Sequence, residues 1–420
     1  MRRDPTFRTA VLTALAIIAT ACSSTGAVES TSLEQGSSNP PPTIVAAAET
    51  SPPAPLTSKT PETTTLPPTT TTPPTAAECA AEVPLELRVG QLMFPVMVQS
   101  DFAVSQDLAG RGLLGGVVVL GSPTRSIAAD IDAYQKTSLL GPGIVAVDEE
   151  GGRVQRLASL TSALPSARRV ASTLTLAEAE ALAKDHAVAI GELGFTMNLA
   201  PVIDLDNGGF IGDRSFGDDP AAVTDFGFAT ADGILAGGLT PVMKHFPGHG
   251  RGTDSHTGLP TLPDLETLRE SDLVPFIRAI ERGDLPIMVG HLVVPGLTNG
   301  QPATLSPEAI DGFLRTELGF DGLVMTDAFN MDAISATTSN AEAAVIALGA
   351  GVDLVMLGSV NEVEQTVATV VESVLTGRIE EASITESFLR VLDARDLTIC
   401  ALPEDLRPAL GCEAGPTSCG

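Results

Sequence analysis

Leu239-Thr240-Pro241-Val242-Met243-Lys244-His245-Phe246-Pro247-Gly248-His249-Gly250 is the stretch on which the fold turns. An apolar run, broken only by Thr240 and Pro241, passes directly into a polar cluster and then into glycines. Asp254-Ser255-His256 follows, so three of the five histidines fall between residues 244 and 256. This order reads as a buried strand that ends in a loop carrying chemistry, with Lys244 and His245 at the strand's end. The plainer alternative is a polar turn between two core elements.

Working outward, seven more short apolar runs share this texture: residues 92–98, 116–120, 144–147, 195–202, 286–294, 323–325 and 354–357, with 241–243 as the central one. Amphipathic stretches separate most of them, among them 126–139, 176–193, 221–235, 271–282, 306–318 and 362–375. Ser306-Pro307-Glu308 is a helix start, with a capping serine and proline in the first turn, and Gly319 is its stop. Residues 381–391 form a closing helix. Continuous apolar strands alternating with helices imply a parallel sheet covered on both faces. Eight such units predict an α/β fold, a (β/α)8 TIM-type barrel in a single catalytic domain. An open doubly wound sheet is the competing arrangement, but no glycine-rich dinucleotide fingerprint follows the first strand.

A barrel gathers its chemistry at the carboxyl ends of its strands, and the polar residues fall there. The run 144–147 ends in Asp148-Glu149-Glu150. The run 195–202 carries Asn198 and reaches Asp204. The central run ends in Lys244-His245, the run from 286 reaches His291, and 323–325 ends in Thr326-Asp327. Randomly placed surface charge would populate both ends. Zinc ligation by His245, His249 and His256 fits no common spacing, so no metal and no cofactor is expected. A serine nucleophile lacks its glycine-flanked elbow. A carboxylate nucleophile with a separate proton donor suits glycosyl transfer, which needs an oxocarbenium-like centre stabilised and a leaving oxygen protonated.

At this point Asp148-Glu149-Glu150-Gly151-Gly152-Arg153-Val154-Gln155-Arg156, Gly212-Asp213-Arg214-Ser215-Phe216-Gly217, the opening stretch, and Gly322-Leu323-Val324-Met325-Thr326-Asp327-Ala328 resemble family 3 glycoside hydrolases. The likeness runs roughly from residue 84 to 392, in the family's order. The opening stretch is similar to that of the β-N-acetylhexosaminidase branch. The resemblance implies a retaining enzyme that removes terminal β-linked N-acetylglucosamine. Asp327 would be the nucleophile, with His256 as general acid/base and Asp254 as its partner. Asp148, Arg156, Arg214, Lys244 and His245 would hold the sugar, and His291 would line the pocket. Residues 254–256 are read as extended, which puts the Asp254 and His256 side chains on one side. His186, beside Lys184 and Asp185, is read as solvated surface. Some relatives differ from this chain in the length of loop 249–254 and in the residue at Ala328.

The ends of the chain bear on where it works. Arg2, Arg3 and Arg8 precede an apolar segment, residues 9–21, too short to span a bilayer. Ala19-Thr20-Ala21-Cys22 is similar to a lipobox without its usual leucine, which makes Cys22 the expected lipidation site. The expected layout is a signal peptide (1–21), a Thr/Pro-rich stalk (22–77), the barrel domain (78–402) and an irregular tail (403–420). Export makes Cys79, Cys400, Cys412 and Cys419 candidates for two disulfides. Three pairings are open, and 79–400 with 412–419 is favoured. The protein would thus be exported, meeting the membrane's outer face only through its lipid. A net charge of −28 argues against a nucleic-acid partner. The expected partners are N-acetylglucosamine-containing saccharides or muropeptides from the cell wall. A phosphorylase using the same site and a non-catalytic sugar-binding lipoprotein are the rival readings.

Overall fold

The apolar runs become short parallel strands. They are β1 (Val96–Met97), β2 (Gly116–Val119), β3 (Ile144–Val147), β6 (Met197–Asn198), β7 (Thr240–Pro241), β8 (Met243–Phe246), β9 (Ile287–Val289) and β10 (Val324–Thr326). Between β3 and β6 lies a small antiparallel hairpin, β4 (Glu149–Gly151) and β5 (Val154–Gln155). The computed structural model describes residues 74–283 and 285–401. The expectations for Cys22, Cys412 and Cys419, the signal peptide, the stalk up to residue 73, residue 402 and the tail (403–420) lie outside those residues.

Parallel pairing runs β1-β2-β3-β6-β7 on one side and β8-β9-β10 on the other. β7 and β8 are two halves of the central run, separated by Val242, whose N–H bonds to the Ala200 carbonyl at 2.9 Å. The eighth position is taken by residues 354 and 355. Leu354 bridges Met325 of β10, and Val355 bridges Met93 ahead of β1. The Phe94 N–H reaches the Val355 carbonyl and the Val96 N–H the Leu357 carbonyl, both at 2.9 Å. The sheet is therefore closed, and the fold is the (β/α)8 barrel.

The packing follows from composition. β2, β3, β8, β9 and β10 are buried along their whole length, as strands covered on both faces must be. At Gly116 a Cβ would sit 2.4 Å from the Ile144 carbonyl oxygen, so only glycine lets β2 approach β3 this closely. Outside the barrel, the helix Ile127–Thr137 buries Ile127, Ile131 and Tyr134, one stripe at helical spacing. The helix Leu176–Gly191 starts in a capping box of Thr175 and Glu178. The helix Glu308–Glu317 ends before Gly319, whose φ of 72° admits glycine most readily. Cys79, in the helix Ala76–Ala81, is disulfide-bonded to Cys400, which ties the two ends of the described chain together.

Candidate active site

The carboxyl ends of the strands open into a cavity of about 360 Å³, within the usual size range of small-ligand sites. Asp148, Arg156, Arg214, Lys244, His245, His256 and Asp327 all line it. The structure thus gathers residues that lie up to 179 positions apart, 327 minus 148.

The floor is a largely buried charge network. Lys244 Nζ lies 2.7 Å from Asp148 Oδ1 and 2.7 Å from Glu150 Oε1. Arg214 donates from Nε and Nη2 to the two oxygens of Glu150, each at 2.7 Å, the fork geometry that makes arginine–carboxylate pairs strong. Burial opposes ionisation of Glu150, but the Lys244 and Arg214 charges outweigh it and hold its carboxyl well below the usual range. Burial likewise opposes the Lys244 charge, and Asp148 and Glu150 restore it. Arg156 Nη2 approaches Asp148 at 3.9 Å, and its Nε is buried without a protein partner, a need that a ligand oxygen would meet.

Lys244 and His245 lie inside β8 rather than beyond its end. Neighbouring strand residues ordinarily face opposite ways. The pairing of β8 with β9 shifts register between Lys244 and Phe246, and this irregularity lets Lys244 and His245 both face the cavity. Asp204 holds the next layer. Its Oδ2 lies 2.7 Å from His245 Nδ1, and its Oδ1 accepts the His245 N–H at 3.1 Å and the His249 N–H at 2.7 Å. Burial opposes the Asp204 charge, yet these groups hold its carboxyl below the usual range. For His249, burial pushes the imidazole below its ordinary value.

Asp327 follows β10. Its Oδ1 accepts the Ala328 N–H at 2.8 Å, which fixes the carboxylate's orientation. Burial works against its ionisation, but His245 and the Ala328 amide keep the carboxyl lowered. His291, expected to line the pocket, does not. It is fully buried, with Nδ1 2.8 Å from Thr304 Oγ1 and Nε2 3.0 Å from the Ala328 carbonyl. It braces the turn that carries Asp327 from below, and burial lowers its pKa. A histidine at a strand end could face either the cavity or the layer beneath, and the sequence did not distinguish them.

At the rim, Asp254 Oδ1 lies 2.8 Å from His256 Nδ1 and also accepts the His256 N–H at 3.0 Å. Residues 254–257 form a turn, closed by the Thr257 N–H to the Asp254 carbonyl at 3.1 Å, not the extended loop expected. Aspartate favours this arrangement because its short carboxylate reaches the amide two residues on. Asp254 partners the dyad without itself lining the cavity. Burial opposes its charge, but the bonds from His256 lower its pKa. The His256 side chain is 59% exposed. Ser255, between the pair, is buried, and its carbonyl accepts the Ala333 N–H at 3.2 Å. The dyad is therefore docked on the segment that follows Asp327.

Three functional positions were missed. Glu150 sits in the quoted Asp148 motif, and alternation along the strand could have placed it beside Asp148. Asp204 is visible in the sequence at a strand end, but nothing local assigns it a role. His186, read as surface, is buried, and its Nε2 lies 2.9 Å from Glu149 Oε2. Glu149 Oε1 takes the N–H groups of Arg156 and Leu157, so the pair anchors the hairpin that presents Arg156. Neighbouring Lys184 and Asp185 obscured a histidine on the inward face of its helix. Among the described residues, no group of three or more His, Cys, Asp or Glu side chains is arranged to hold a metal ion.

A closed barrel with a carboxylate fixed beneath the cavity and an imidazole–carboxylate pair at its rim defines the class: a (β/α)8-barrel glycosidase. Residues 84–394 match the model of the glycosyl hydrolase family 3 N terminal domain. The chain is 40% identical over 304 residues to Beta-hexosaminidase LpqI of Mycobacterium tuberculosis, spanning 69% of this chain and 78% of that protein. The solved structure of M. tuberculosis LpqI superimposes with a TM-score of 0.71 at 37% identity, covering 76% of this chain and 96% of that one. A family 3 beta-N-acetylglucosaminidase from Paenibacillus sp. FPU-7 gives 0.70 at 30% identity, covering 78% and 68%. The chain belongs to glycoside hydrolase family 3.

Proposed function

We propose that the protein is a retaining β-N-acetylhexosaminidase that hydrolyses terminal, non-reducing β-linked N-acetylglucosamine. The observation that carries the mechanism is the facing of Asp327 and of His256, held from behind by Asp254, onto one cavity. Asp327 attacks the anomeric carbon as His256 Nε2 gives its proton to the glycosidic oxygen, and the aglycone leaves. Asp254, bonded at Nδ1, orients the imidazole for that transfer. In the second step His256 takes a proton from water, which displaces Asp327 from the anomeric carbon. The configuration is retained because the carbon is inverted twice. Asp148, Lys244, Arg214, His245 and Arg156 bind the sugar hydroxyls from the floor.

Water rather than phosphate is the acceptor in this reading, since Lys244 and Arg214 are already neutralised by Asp148 and Glu150. The signal-like N-terminus and Cys22 support export and anchoring by lipid at the outer face of the membrane, and a substrate released from the cell wall, a GlcNAc-MurNAc fragment. The test is hydrolysis of that disaccharide beside chitobiose, an aryl β-N-acetylglucosaminide and an aryl glucoside, with and without phosphate. Release of free N-acetylglucosamine in both buffers supports the proposal. Release of its 1-phosphate, or no release from any N-acetylglucosaminide, defeats it.

A further inference from the structure

Phe210 is a large apolar side chain left 37% exposed at the cavity mouth, and none of the roles assigned above uses it. Its backbone is firmly held. The Phe210 N–H bonds to the Gly252 carbonyl at 2.9 Å, and the Gly209 N–H to the Gly250 carbonyl at 3.1 Å. A Cβ at residue 209 would come within 2.6 Å of both carbonyl oxygens, so the two loops touch backbone to backbone and only glycine fits. Arg153 Nη2 donates to the Phe210 and Ile211 carbonyls at 3.0 and 2.8 Å, and its guanidinium carbon lies 5.3 Å from the ring centroid. The Phe210 ring centroid is 6.4 Å from that of His256, with the planes tilted by 56°.

Exposing an aromatic ring to water is unfavourable, and holding it rigid beside a reactive group is a feature of binding surfaces. The loop that carries Phe210 is fastened to residues 250–252, the tether that leads to His256, so ring and donor share one frame. On the reading of His256 as proton donor, the glycosidic oxygen lies at its imidazole. The leaving sugar must then extend from that oxygen, away from the buried floor and past the rim.

We infer that Phe210, steadied by Arg153, is the platform of the aglycone subsite and stacks against the apolar face of the second pyranose ring of a β-linked saccharide. The proposal rests on the hydrolase reading and extends it to the leaving group. It is tested by the ratio of kcat/KM for chitobiose to that for β-N-acetylglucosaminyl fluoride, whose leaving group carries no ring. Phe210→Ala should lower this ratio about tenfold, the scale of one aromatic contact. Phe210→Tyr, which keeps the ring, should preserve it, and Phe210→Leu should fall between. An unchanged ratio in Phe210→Ala, including equal slowing of both substrates, overturns the platform. If Phe210→Ala does not fold, a Phe210→Leu ratio equal to wild type does the same. Failure of the wild-type protein to turn over either substrate would instead defeat the hydrolase reading itself.

Discussion

The two ends of the active site are built on opposite principles. The floor is dry and interlocked: Glu150 bonds Arg214 and Lys244, Lys244 also bonds Asp148, and Asp204 bonds His245. The rim is wet, with His256 largely exposed and partnered by Asp254 within a single turn. Sugar binding profits from preorganised charge that water cannot screen. Proton transfer needs a group that can reach both the leaving oxygen and the incoming water, and a place at the rim supplies that. Stability and catalysis should therefore separate between the two ends.

The largest effect tests the carboxylate between them. Asp327→Ala should lower kcat by on the order of 10⁴-fold or more in protein that still folds, because this side chain contributes little to the core. Turnover near wild type would break the mechanism. His256→Ala should cost roughly 10²–10⁴-fold on substrates with poor leaving groups and much less on activated aryl ones. Equal slowing of both would remove its acid role.

The next test sets floor against rim directly. Lys244→Met leaves the largely buried carboxylates of Asp148 and Glu150 without their shared cation and should cost about 3–5 kcal/mol of stability by denaturant titration. Asp254→Ala, at the rim, should cost less than about 1 kcal/mol while still slowing turnover. Similar losses in the two variants would erase the distinction. The smallest effect is a displacement along the pH axis. Asp327 must be ionised to attack, and its carboxyl is held below the ordinary range. Asp327 should then stay ionised as the pH drops past the ordinary aspartate value of about 3.9 and be protonated only lower. Protonation of Asp327 above that value, followed at its own carboxyl by NMR in folded protein, would contradict the arrangement.

How far these features were legible in the chain depends on their range. The run 144–147 and its acidic end were readable, because a covered strand is continuously apolar and its polarity changes abruptly where it leaves the barrel. The central run was readable as a strand but not in its length. The shift at Lys244 depends on pairing with β9, 44 residues away at Met288, 288 minus 244. His186 and His291 show the same limit in the buried layer. Each needed a partner, Glu149 and the Ala328 carbonyl, that no local pattern names.

The sequence by itself determined the alternation of strand and helix, the end of the barrel that carries chemistry, and the residue types available there. These follow from local periodicity and from the solvation cost of placing charge inside the barrel. Tertiary structure alone decided which charges neutralise one another, which histidines face the cavity, and that the loop of Phe210 would lie against the tether of His256. Those outcomes depend on pairings across the closed barrel, where contact energies are fixed by spatial neighbours that the order of residues does not specify.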